Sequence, residues 1–178
     1  MVDLSKFSIE TFNRGAPAWR EVLWRLLQQG FFNLECIKAY GIKTRLLRRF
    51  GARVGQGVVV KPKARITFPW RLTVGENSWI GEEAWLLNLD RIEIGSNVCI
   101  SQRAFLCTGS HDWSRESFDL ITKPIVVEDG VWICADVFIG PGVTVGKNCV
   151  VTAGSVVSND LPPDMVCSGN PCVPVKKR

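Results

Sequence analysis

The hydrophobic positions of this chain follow a beat of six. From Val127 to Val157 an aliphatic residue recurs at 127, 133, 139, 145, 151 and 157, heading the segments VEDGVW, ICADVF, IGPGVT, VGKNCV and VTAGSV. An α-helix repeats every 3.6 residues and a half-buried strand every two, so neither predicts this spacing. A parallel β-helix does. Each hexapeptide is one short strand and a corner, three make a triangular coil, and the aliphatic residue points into a shared core. Glycines at 130, 140, 142, 146 and 154 suit corners, where positive φ or close backbone approach is needed.

The frame extends backwards through Ile94, Ile100 and Leu106, through Val74, Ile80 and Leu86, and into an earlier turn at Val54, Val60 and Ile66. Coil starts at 54, 74, 94, 127 and 145 lie 20, 20, 33 and 18 residues apart. Measured against three hexapeptides, two coils carry small bulges and one carries an extruded loop over residues 107–123. About five coils, with strands about 4.8 Å apart, predict a prism roughly 24 Å tall.

Before the repeat, Pro17 suits a first helical turn. Trp19, Val22, Leu23, Leu26 and Leu27 then recur at helical spacing, with Arg20, Glu21, Arg25, Gln28 and Gln29 on the other face. Gly30 weakens the helix, and Phe31, Phe32 and Leu34 start a second segment. From Arg14 to Phe50 there are eight Lys and Arg against two Glu, ending in KTRLLRRF. Two compatible roles follow: the apolar face caps the open end of the solenoid, and the basic run makes a weak peripheral contact with an anionic membrane. Residues 1–50 are thus expected to form a helical cap, 51–160 the β-helix and 161–178 a basic tail. The frame breaks at NDLPPD, where Pro162 and Pro163 are expected to end strand pairing.

Composition narrows the class. With 178 residues, 46% of them hydrophobic, the chain is one domain with room for a continuous core. Seven cysteines with no C-x-x-C pair, behind a mixed and polar stretch from Met1 to Asn13, read as reduced thiols in a cytoplasmic protein. Cys99, Cys134 and Cys149 fall inside the frame as small buried residues, while Cys107 and Cys172 are less constrained. No apolar run approaches the roughly 20 residues of a membrane span, and no nucleic-acid partner is expected. Trp70, Trp79 and Trp85 lie on or beside the prism, as packing or as sugar-binding surface.

The one histidine, His111, stands in the extruded loop, in CTGSHDWSRESFD. Loops thrown out of a rigid repeat are where function concentrates, and histidine is the side chain suited to acid–base work near neutral pH. A single histidine cannot build the three-histidine metal site of related β-helices, so no metal is expected. Phosphate-loop, dinucleotide-loop and nucleophile-elbow motifs are missing as well.

Together the hexapeptide frame, TGSHDW, VWICADVFIGPGVTVG, TAGSVVSNDLPP and SGNPCVPVKKR resemble the hexapeptide-repeat O-acetyltransferases. RLLRRFGARVG, FPWRLTVGENSWIGEEAWLLNLDRIEIG and CISQRAFLCTGSHDW are most similar to the branch associated with colanic-acid-type exopolysaccharide synthesis. The resemblance implies a left-handed β-helix, against the general right-handed preference of parallel crossovers. It implies a homotrimer with sites between adjacent prisms. It also implies acetyl-CoA as cosubstrate and a sugar, nucleotide sugar or lipid-linked glycan as acceptor, with His111 as general base. Matched residue by residue, Asn88 and Trp132 would line the acceptor site, and Ala135, Ala153, Ser158 and Asn159 the coenzyme groove. Lys176 would sit near the coenzyme phosphates, a role Lys177 and Arg178 could share. Cys134 and Thr152 stand where the family has glycine, and Val173 with Pro174 where one relative has a basic residue. Two rival readings keep the fold: acetylation of an amino sugar, and a silent trimeric scaffold at a glycan-assembly membrane.

Overall fold

A β-helix needs its aliphatic marks inside and its corners turned out, and the computed structural model, which describes residues 1–9, 12–33 and 40–178, meets both demands. Three parallel sheets form the walls. In the first, Val54, Val74, Ile94, Val127 and Val145 stack in register. Val60, Ile80, Ile100, Ile133 and Val151 stack in the second. Ile66, Leu86, Leu106, Ile139 and Val157 stack in the third. All of these marks except Val54 are buried.

Corner chemistry explains the polar spacers. Between the second and third walls, Lys63, Glu83, Arg103, Asp136 and Gly154 have φ of 59°, 58°, 56°, 58° and 72°. This left-handed region favours glycine, and the other residues are held there by the hydrogen bonds of adjacent coils, such as Arg103 N–H to Glu82 O and Asp136 N–H to Gln102 O. Gly146 serves by close approach: a β-carbon there would lie 2.6 Å from the Pro163 nitrogen.

Between the third and first walls the spacing is uneven. Pro69–Arg71 forms a 3-10 turn in one coil, residues 88–91 widen the next, and the third throws out an antiparallel hairpin of Gly109–His111 with Leu120–Thr122. The bulges and the loop expected from the spacing therefore share one edge.

Two expectations need correction. The coil number is about six rather than five, because Pro162 and Pro163 do not end pairing. Leu161 bridges Val145, Met165–Gly169 runs parallel to Val150–Val151, and Cys172–Lys177 folds back antiparallel upon it. The prolines lie in a corner, where no ladder bond is required of them, and Pro174 sits on an edge strand.

The second correction concerns the helices, α1 (Ala18–Phe31) and α2 (Tyr40–Arg49). Of the apolar stripe assigned to capping, Trp19, Val22, Leu23 and Leu26 face outward and only Leu27 packs against the core, and α1 docks chiefly through Glu21 and Trp24, both buried, with Gln28 beside them. The first coil of the third wall ends in an unpaired strand edge, which needs hydrogen-bond partners as much as apolar cover. Trp24 Nε1–H donates to Ile66 O at 2.8 Å, and Ile66 N–H donates to Gln28 Oε1 at 2.7 Å. On α2, Arg48 closes the neighbouring wall by donating to Val54 O and Gly55 O. Helix α1 runs through Gly30; Leu34, where the second segment was expected, lies outside the described residues, as does Cys36.

Of the thiols, Cys107, Cys149, Cys167 and Cys172 are buried, while Cys99 and Cys134 are half-buried on the surface of the second wall and its corner, against the expectation of burial for all three in-frame cysteines. Burial beside Cys167, with the sulfurs 3.5 Å apart, pushes the Cys149 thiol up to about 12, so it is a neutral packing group.

Candidate active site

The uneven edge builds a cavity of about 340 Å³ whose wall includes Phe12, Thr67, Phe68, Leu87, Leu89 and His111. Thr67, Phe68 and Leu89 belong to the two widened corners and Leu87 ends the strand before the second, so the first coils form the floor below the hairpin of the third. Thr108 roots that hairpin. It is buried, its hydroxyl donates to Leu87 O at 2.8 Å, and it accepts from Asp90 N–H at 2.9 Å. At the tip, Asp112 accepts from Ser114 and pairs with Arg115, which also pairs with Asp119; hydrogen bonding to Ser114 holds the Asp112 carboxyl below its ordinary range.

His111 is half-buried at the cavity wall. Its ring stacks on Phe118 with centroids 4.3 Å apart and an interplanar angle of 3°, and meets Phe7 edge-on at 5.4 Å. Nδ1 lies 2.8 Å from Phe118 O. A carbonyl oxygen only accepts, so Nδ1 carries the hydrogen and Nε2 keeps its lone pair. That is the tautomer a general base needs.

Sequence reasoning missed several residues here. Phe7 comes from the amino-terminal arm, which is fastened to the loop by Asp3 N–H to Glu116 O and by the Lys6–Glu116 ion pair. Glu21 is a buried carboxylate between Arg14, at 2.7 Å, and Arg25. The Glu21–Arg25 spacing of four was a readable signal. Nothing in the sequence marked Phe7 or Phe118.

Asn88 is fully buried, accepting from Phe68 N–H at 2.8 Å through Oδ1 and donating back to Phe68 O through Nδ2. Both ends of the amide bond the Phe68 backbone, so Asn88 supports the cavity floor from beneath with its side chain closed to solvent. Trp132 is 46% exposed on the second wall, with Nε1–H donating to Ser101 Oγ at 3.0 Å. Ala135 and Ala153 stack in one corner between the second and third walls, where Gly154 N–H donates to Ala135 O at 3.0 Å. No atom lies within 4 Å of a β-carbon added at Gly154, so this corner opens outward. Ser158 and Asn159 are exposed on the uneven edge, and Lys176 on the last strand. Arg178, by contrast, is occupied, donating to Gly130 O and Asn148 O.

Within one chain these residues fall into two groups. His111, Ser158 and Asn159 share the uneven edge, whereas Trp132, Ala135, Ala153 and Lys176 lie beyond the third wall. The walls also differ in what they turn outward. The second presents Val59, Trp79, Cys99, Trp132 and Val150, and the third Arg65, Trp85, Phe105, Phe138 and Val156. Trp85 and Phe105 stack at 4.6 Å. The first wall presents Arg53, Thr73, Glu93, Val126 and Thr144, a mostly polar ladder.

Residues 124–159 match the family described as bacterial transferase hexapeptide (six repeats). Over 178 residues the chain is 42% identical to WcaF of Escherichia coli (strain K12), named for acetyl transfer in colanic acid biosynthesis, covering 100% of this chain and 98% of that one. Among solved structures, a maltose O-acetyltransferase from Clostridium difficile 630 superposes with TM-score 0.82 at 33% identity, covering 89% of this chain and 86% of that one. The hexapeptide-repeat acetyltransferase VCA0836 from Vibrio cholerae O1 biovar eltor, complexed with acetyl coenzyme A, superposes with TM-score 0.83 at 29% identity, covering 99% of this chain and 98% of that one. With the six-residue frame, the solenoid and a full-length relative all in agreement, the chain belongs to the hexapeptide-repeat acetyltransferases.

Proposed function

We propose that this protein transfers the acetyl group of acetyl-CoA to a sugar hydroxyl in the synthesis of a cell-surface glycan, with His111 as general base. The observation that carries the reading is the hydrogen bond from Nδ1–H of His111 to Phe118 O, which leaves Nε2 as a fixed acceptor at the cavity wall. Acetyl-CoA supplies an acetyl group activated as a thioester. Nε2 takes the hydroxyl proton while the acceptor oxygen bonds to the acetyl carbonyl. A backbone N–H is the natural stabiliser of the oxyanion so formed. When the carbon–sulfur bond breaks, the imidazolium returns its proton to the departing sulfur, and the base is regenerated. The small side chains of Ala135 and Ala153 beside open Gly154 suit a long, thin ligand such as the coenzyme arm, and Lys176 offers a cation for its phosphates.

The working unit in this reading is a trimer. A closed ring of three needs two different, mutually complementary patches on each subunit. Two aromatic walls and one polar wall answer that need. Ring closure would bring the His111 edge of one protomer toward the Trp132 and Ala153 edge of the next, joining the two groups that a single chain keeps apart. The amino-terminal segment makes a weak peripheral membrane contact in the same reading.

The test is thiol release from acetyl-CoA against sugars, nucleotide sugars and lipid-linked glycans. His111→Asn is expected to lower turnover by about 10² to 10⁴ fold while acetyl-CoA affinity and trimer mass stay as they were. An unchanged rate in the variant overturns the base; failure to bind acetyl-CoA hands the protein to the scaffold reading. Product mass distinguishes ester from amide.

A further inference from the structure

The outward face of α1 is its apolar one. Trp19, Val22, Leu23 and Leu26, spaced by three and four residues, are 66%, 57%, 42% and 62% exposed. Single exposed apolar residues are ordinary, but a continuous stripe that begins in a tryptophan marks a contact surface. The stripe continues into a groove of about 450 Å³ between α1 and α2, lined by Leu27, Leu46 and Phe50 and bounded by Arg20 and Arg49. Ile42, 44% exposed, extends the apolar surface on α2.

Charge identifies what covers it. Among the described residues of the two helices the cations are Arg20, Arg25, Lys43, Arg45, Arg48 and Arg49, and the one carboxylate is Glu21. Glu21 is buried on the opposite face against Arg14 and Arg25. Among the described residues the outward face thus joins an apolar stripe to the exposed Arg45 and Arg49 with no acid beside them, the composition of a helix that lies in a membrane interface. A second copy docking face to face would set Arg20, Arg45 and Arg49 against their own equivalents, since such contacts are self-complementary. Among the described residues no helix is long and apolar enough to cross a membrane.

We infer that the outer face of α1 and α2 seats the protein on an anionic membrane, with Trp19, Leu23 and Leu26 in the headgroup boundary and the arginines on lipid phosphates. In a ring whose axis runs along the prisms, three such faces point one way, and three weak contacts act together. A consequence follows that rests on the acetyl-transfer reading. Glu21 and Arg25 of the same helix line the His111 cavity, so the acceptor site lies about one helix diameter, roughly 10 Å, from the bilayer. The acceptor class this selects is a glycan attached to a lipid.

Flotation with vesicles tests the docking without any turnover. The full chain is expected to float with phosphatidylcholine–phosphatidylglycerol vesicles and not with phosphatidylcholine alone. Binding should weaken as salt rises from about 0.1 M to about 1 M and the Debye length falls from about 10 Å to about 3 Å. Trp19→Ser with Leu26→Ser should reduce vesicle partition at least about tenfold, and Arg45→Glu with Arg49→Glu should abolish the preference for anionic lipid. All four side chains are exposed, so melting temperature and trimer mass report whether each variant is folded. No flotation at low salt, or flotation of the Trp19/Leu26 variant equal to wild type, overturns the inference. So does a doubled particle mass that this variant removes, which would assign the face to a second copy. A protein that floats but releases no thiol fails as an acetyltransferase while its docking stands; one that turns over soluble sugars without floating does the reverse.

Discussion

Two edges of the same prism differ sharply. Between the second and third walls every corner has the same length, and Lys63, Glu83, Arg103, Asp136 and Gly154 share one backbone conformation. Between the third and first walls the first two corners each carry two residues beyond the repeat and the third carries the hairpin, and the cavity and His111 are found there. The walls leave only the corners free to vary, because an insertion within a strand would turn its inward residues outward and break the stacked marks. The even edge transmits register from coil to coil, while the uneven edge spends extra residues on a site.

The comparison can be broken at the core first. Ile133→Ala removes a fully buried mark from the centre of the second wall, on which both edges depend, and is expected to cost about 2 to 5 kcal/mol in chemical denaturation. A smaller effect distinguishes the edges directly. Two residues inserted after Asp136 interrupt backbone bonds such as Gly154 N–H to Ala135 O, for an expected loss of about 1 to 3 kcal/mol. The same insertion after Trp113, 80% exposed at the hairpin tip, should cost under about 1 kcal/mol. Equal losses would mean that the edges are equally tolerant. Least affected of all should be Arg103→Ala, which removes the solvent-exposed surface pair with Asp136; its melting curve should overlay that of wild type.

The walls were legible in the sequence because a buried mark recurring every six residues admits one architecture. Ile100, Ile133 and Val151 stack as their spacing requires. Spacing also revealed that coils held extra residues, but the co-location of those residues on one edge appears only when the corners are counted around the prism. The orientation of α1 was misread for a physical reason. Amphipathicity registers apolar demand alone, whereas the end of a solenoid presents bare backbone donors and acceptors, and Trp24 and Gln28 answer them from the more polar side of the helix. His111 stands out in the sequence because it is the one histidine and lies in the longest insertion. The tautomer-setting Phe118 and the arm residue Phe7 act through position, and no residue type announces that.

The six coils have a further consequence at their ends. Nothing in a six-residue repeat limits its own length, since each coil offers the next an identical ladder of donors and acceptors. Growth stops through the terminators: α1 and α2 consume the first ladder. At the far end Cys172–Lys177 runs antiparallel, with Pro174 lacking an N–H and Lys176 and Lys177 charging the rim. A chain stripped of either terminator would expose a flat, registered strand edge, on which another copy could continue the stack into a fibre. Discreteness of the particle is thus encoded in the segments that do not repeat.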